Sequence, residues 1–161
     1  MRLLQILPYL HAVIIALFAC ASPALASEKA RNGSHNMPET IERDFVDGPF
    51  GQIHVRIARP ATRSSRPPLI LFHPVPYSGD YFHSFMRLMA HDRMVIAIDT
   101  PGYGDSAAPG ELPTIQDYAK SASAALDALG IRGERGSSVD VLGYHTGSLI
   151  AIELAVQQPK L

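Results

Sequence analysis

Two short runs, Pro68-Leu69-Ile70-Leu71-Phe72 and Met94-Val95-Ile96-Ala97-Ile98, contain no polar position at all. A strand with one face in water alternates apolar and polar residues. These runs do not, so each is predicted to lie buried between two layers. Val139-Asp140-Val141-Leu142 repeats the pattern more weakly. Helical stripes separate the runs. Residues 81–90 place Phe82, Phe85, Met86 and Met89 on one face. Residues 115–129 align Ile115, Tyr118, Ala122, Ala125, Leu126 and Leu129, with Thr114 as N-cap and Gly130 as stop. Residues 148–157 align Leu149, Ile152, Ala155 and Val156, and Pro159 ends that run. Buried strands alternating with helices predict an α/β fold, a mostly parallel sheet with helices on both faces. Ligands of such sheets sit at the carboxyl ends of the strands, so the loops after residues 72, 98 and 142 are where function is to be read.

Ahead of these strands, residues 44–46 and 52–58 flank Asp47-Gly48-Pro49-Phe50-Gly51. Ile53, Val55 and Ile57 alternate with His54 and Arg56, which predicts a β-hairpin at a sheet edge with the histidine facing outward. His54, His83 and His91 share no metal-ligand spacing and read as surface histidines, so no metal site is expected.

The first residues follow a different grammar. Arg2 is the one charge before Glu28, Ala12 to Ala21 is apolar, and Ala24 and Ala26 frame an A-x-A site. This predicts a secretory signal over residues 1–26, a polar linker over 27–40 and a folded domain over 41–161. Pro8 and Pro23 keep the apolar block short of the ~20 residues a spanning helix needs. A retained anchor, or a lipid on Cys20 within Leu17-Phe18-Ala19-Cys20, is the alternative; otherwise no membrane association follows cleavage. The destination is then periplasmic or secreted. Cys20 is the single cysteine, which excludes a disulfide framework or a thiolate zinc site. A formal net charge of −1 argues against an electrostatic nucleic-acid binder. With 47 % hydrophobic and 18 % charged residues the chain can build a core.

The third loop, Gly143-Tyr144-His145-Thr146-Gly147, joins a buried strand directly to a helix. Small residues two before and two after the tip allow a turn so tight that the tip residue is strained and stands clear of the sheet. The second loop reads Asp99-Thr100-Pro101-Gly102-Tyr103-Gly104-Asp105-Ser106, and the first reads His73-Pro74-Val75-Pro76. Over residues 41–161 the chain resembles the α/β-hydrolase superfamily. The family's D-x-[P/R]-G-x-G-x-S is matched at Asp99, Pro101, Gly102, Gly104 and Ser106, and its H-G-x-P at His73 and Pro76, with Pro74 where glycine is usual.

The resemblance implies a nucleophile elbow with His145 at the tip, where the family carries Ser, Asp or Cys. His145 could act as nucleophile, general base or binding group, or be inert. It further implies an oxyanion hole from the backbone N–H groups of Val75 and Thr146, elbow glycines at Gly143 and Gly147, and loop-shaping roles for His73, Asp99, Gly102, Gly104 and Ser106. The family's acid and histidine follow the nucleophile in sequence. By that order they fall after Leu161, so the C-terminal half of the fold is expected to be missing here and the 161 residues to be inactive alone. The implied activity is hydrolysis of a small-molecule ester, amide or related bond without metal or organic cofactor. The alternatives are a non-catalytic binding protein on the same fold, or a cofactor-free lyase or oxygenase using His145 as base.

Overall fold

The computed structural model describes residues 40–132 and 138–161. The signal segment, the lipidation alternative at Cys20 and nearly all of the linker lie outside the described residues. The two wholly apolar runs form β3 (Leu69–Phe72) and β4 (Val95–Ile98), every residue of which is buried. They pair in parallel, Ile70 opposite Ile96 and Phe72 opposite Ile98. The hairpin forms β1 (Glu42–Gly48) and β2 (Gly51–Ala58), and the third run forms β5 (Asp140–Gly143). The sheet order is β1-β2-β4-β3-β5, with β2 antiparallel to both its neighbours and β3 parallel to β4 and β5.

Alternate residues of each strand serve opposite layers. Ile53, Val55, Ile57, Ile70, Phe72, Ile96 and Ile98 meet Ala122, Leu126, Ile150 and Leu154 of α2 (Ile115–Ala128) and α3 (Thr146–Gln157). Leu69, Leu71, Val95 and Ala97 meet Phe82, Met86 and Ala90, the last two belonging to or capping α1 (His83–Met89). Each Val, Leu, Ile, Phe or Met among them contributes about 1.5–3 kcal/mol by leaving water. The α/β architecture with helices on both faces is therefore present.

Local signals account for the element ends. Thr114 accepts from the Asp117 N–H at 3.2 Å while the Asp117 carboxylate accepts from the Thr114 N–H at 3.0 Å, a reciprocal cap that opens α2. Those bonds hold the Asp117 carboxyl below the usual carboxylate range. The predicted helix over 81–90 is instead a 3-10 turn, Gly79–Phe82, followed by α1. The turn begins where Ser78 caps the Asp80 N–H.

Two expectations need correction. In α3 the buried face is Gly147, Ile150, Ala151 and Leu154, while Leu149, Ile152, Ala155 and Val156 face outward. The helix is apolar nearly all round, so its periodicity does not identify the packed side. His54 is fully buried, not a surface histidine. Only β1 of the hairpin lies at the edge; β2 is interior, and both its faces are covered. His83 and His91 do lie at the surface. Among the described residues, no helix is long and apolar enough to cross a membrane.

Candidate active site

Parallel pairing brings the carboxyl ends of β3, β4 and β5 to one rim, so His73, Asp99 and Tyr144-His145 emerge together. The N–H of Tyr144 donates to the Phe72 carbonyl at 3.1 Å, the last rung before the chain turns. His145 then takes φ 54° and ψ −120°, and it is the one non-glycine residue with positive φ among the described residues. A β-carbon on Gly143 would overlap the Gly147 carbonyl, and one on Gly147 would overlap the Phe72 carbonyl. The turn thus brings the first residues of α3 into backbone contact with β3, which only glycine permits. The His145 side chain is left exposed, with Nδ1 3.0 Å from the Thr146 hydroxyl. Ser148 Oγ donates to the His145 carbonyl at 2.6 Å and fixes the turn from the helix side.

The first loop lies alongside. His73 is buried, and its Nε2 accepts from the Thr100 N–H at 3.0 Å. That places its proton on Nδ1, which donates to the Pro74 carbonyl at 3.1 Å. Burial pushes the His73 imidazole below the ordinary value, against the opposing pull of the Pro74 carbonyl and the Asp99 charge. His73 is thereby a neutral bridge between the first and second loops. Val75 follows, half-buried. Among the described residues, the N–H groups of Val75 and Thr146 make no backbone hydrogen bond, so both are available as donors.

Asp99 is the centre of the second loop. It is fully buried, and its carboxylate accepts from the Gly79 N–H at 2.6 Å, the Asp105 N–H at 3.0 Å and His54 Nδ1 at 2.8 Å. Three donors thus converge on one buried carboxylate. Ser106 Oγ donates to the Asp99 carbonyl at 2.7 Å and accepts from the His54 N–H at 2.9 Å. Gly102 (φ 85°) and Gly104 (φ 58°) turn the chain, and a β-carbon on Gly104 would overlap the Asp99 carboxylate. Sequence reasoning missed the participation of His54. The signal that could have found it is that only one strand of a hairpin can be the edge, which leaves the other with two covered faces.

His54 Nδ1 and the carboxylates of Asp99 and Asp105 lie within 4.8 Å of one another, close enough in principle for a cation. Their hydrogen bonds argue otherwise. His54 Nε2 accepts from Arg43 Nε at 3.0 Å, so the ring proton sits on Nδ1, directed at Asp99. The Arg43 guanidinium also holds Asp105 at 2.7 Å and already supplies the positive charge. The group is a hydrogen-bonded network and a fastener for the loop.

Three tyrosines border the turn. Tyr81 stacks on Tyr144 at 5.7 Å and 13°, and contacts Tyr77 at 5.4 Å. A shallow cavity of about 570 Å³ lies elsewhere, lined by Arg59, Arg63, Arg66, Pro68, Met94 and Ser138. It contains none of the candidate site residues.

The comparisons with known proteins agree with this architecture. A family model described as alpha/beta hydrolase fold matches residues 67–161. An uncharacterized protein of Rickettsia prowazekii is 28 % identical over 123 residues, covering 73 % of this chain and 50 % of that protein. An epoxide hydrolase from an endophytic Streptomyces superposes with a TM-score of 0.66 at 26 % identity, over 76 % of this chain and 35 % of its own. A haloalkane dehalogenase loop variant from Bradyrhizobium elkanii gives a TM-score of 0.66 at 27 % identity, over 76 % of this chain and 38 % of its own. The chain spans half or less of the length of these proteins. The matched family model takes in all three loops and every strand of the parallel set, and the chain belongs to the α/β-hydrolase fold family.

Proposed function

We propose that this chain is part of an exported hydrolase that cleaves an ester, amide or related carbon–heteroatom bond of a small molecule, with the turn at His145 as its nucleophile elbow. The observation that carries this reading is the positive φ of His145 at the tip of the Gly143–Gly147 turn. Holding a bulky side chain there costs on the order of 1–3 kcal/mol, a strain that clusters at reactive sites. The N–H groups of Val75 and Thr146 are the oxyanion donors in this reading, and Asp99 and His73 hold the loops that carry them. The activities named for the similar epoxide hydrolase and haloalkane dehalogenase support a carbon–heteroatom bond as the class attacked. The chemistry calls for no metal or organic cofactor.

In this reading the acid and second histidine come from outside the 161 residues. Catalytic groups act as a unit, so the 161-residue chain alone turns over nitrophenyl acetate no faster than free imidazole does. In the complete protein His145→Ala abolishes hydrolysis, and His145→Ser creates weak esterase activity. Robust turnover that survives His145→Ala would remove the turn from the mechanism. Export has its own check. N-terminal sequencing of the mature protein begins at Ser27, whereas an intact Met1 or a lipid on Cys20 would point to an anchored form.

A further inference from the structure

The geometry points to Thr146, not His145, as the residue that bonds covalently to substrate, with His145 as its base. The inference rests on the functional reading of the turn given above and assigns its chemistry. His145 Nδ1 lies 3.0 Å from Thr146 Oγ1, within the reach a general base needs for a hydroxyl proton. In the Nε2–H tautomer, Nδ1 accepts from the Thr146 hydroxyl. The strained backbone at His145 is what presents the imidazole beside the next residue. A hydroxyl hydrogen-bonded to an imidazole is the minimal pairing for nucleophilic catalysis. Thr146 is also the first residue of α3, and its own N–H has no backbone partner among the described residues. That N–H can donate to the oxygen of a carbonyl attacked by its own hydroxyl.

The step balances without any further reagent. Thr146 Oγ1 bonds to the substrate's carbonyl carbon and gives its proton to His145 Nδ1. The leaving group departs with that proton. Water then attacks the acyl-threonine, passing a proton to Nδ1, and the threonine oxygen leaves with it. Imidazole attack, by contrast, would form a labile acyl-imidazole. The two routes therefore differ in where the acyl group rests and how long it stays.

The test is covalent trapping, which needs a single attack and no turnover. The folded full chain is treated with a fluorophosphonate and, separately, with nitrophenyl acetate, and the adduct is located by peptide fragmentation. The expected adduct is on Thr146, retained in Thr146→Ser and lost in the near-isosteric Thr146→Val. In His145→Ala its formation slows by ~10²-fold or more, the contribution of a positioned base. An adduct on His145 overturns the threonine assignment and leaves the hydrolase reading standing. Equal labelling of Thr146→Val and wild type overturns it too, as does no labelling of a chain whose circular dichroism shows it folded.

Discussion

The two flanks of the sheet are built on opposite principles. β1, at one flank, is almost wholly exposed and carries Glu42, Arg43, Asp44 and Asp47. Two of these charges are paired across the surface, Glu42 with Arg59 at 3.2 Å and Arg43 with Asp105 at 2.7 Å. Charge of this kind lets a strand stand at an edge without recruiting another chain. β5, at the other flank, is half-buried, and α3 behind it turns Leu149, Ile152 and Val156 to solvent, 45–66 % exposed. A row of large apolar side chains has the composition of a covered surface. The difference teaches that the edge role of a strand is written in its own charge, whereas its hydrophobic pattern reports only what it is able to bury.

The comparison can be broken first on the hairpin side. Asp99→Ala strands the buried donors of Gly79 and His54 and frees the Asp105 N–H at once. The expected loss of unfolding free energy is about 3–5 kcal/mol, the range for breaking a buried charged network. Urea titration measures it, and a loss below 1 kcal/mol would mean that the hairpin is held by its strand pairing alone.

The apolar flank offers the next contrast, within a single helix. Leu154→Ala removes a buried side chain and is expected to cost about 2–5 kcal/mol. Leu149→Ala and Val156→Ala, on the exposed side of α3, should each stay within about 0.5 kcal/mol. Should either match Leu154→Ala by chemical denaturation, that face is covered in solution.

A moderate effect is expected at the seam between the flanks. Burial holds the His73 imidazole neutral, with its pKa below the unfolded value of about 6.5. The stabilisation is complete above that value. It declines as pH falls from there toward the lower folded value, because the unfolded chain takes up the proton first. The urea midpoint of wild type should therefore drop through this window more than that of His73→Gln. Parallel curves would place the pH dependence elsewhere. The smallest effect belongs to Glu42→Gln, where an exposed ion pair is worth no more than about 0.5 kcal/mol.

Much of the fold was legible because burial on two faces leaves an unmistakable run. β3, β4 and the capped α2 follow from Leu69–Phe72, Val95–Ile98 and the Thr114 cap with its Gly130 stop. The packed side of α3 was not legible, since Leu149 and Ile150 are equally apolar and only tertiary contact separates them. At the candidate site, glycine spacing located the turn at His145. It could not reveal the Thr146 hydroxyl beside the imidazole, a matter of side-chain direction. His54 was read as a surface residue because alternation along one strand says nothing about a loop that folds over it from 45 positions away.

That long span has a temporal meaning. The Asp99 carboxylate gathers groups from residues 54, 79 and 105, so the full set of bonds cannot close until β2 and β4 have met. Contacts between distant parts of a chain are slow to close. The fastener of the second loop is therefore a late arrival during folding and an early departure when the structure breathes. In hydrogen exchange, the Gly79 and Asp105 amides should become labile together and before those of β3, so that loosening of the loop is seen as one event at two separated places in the chain.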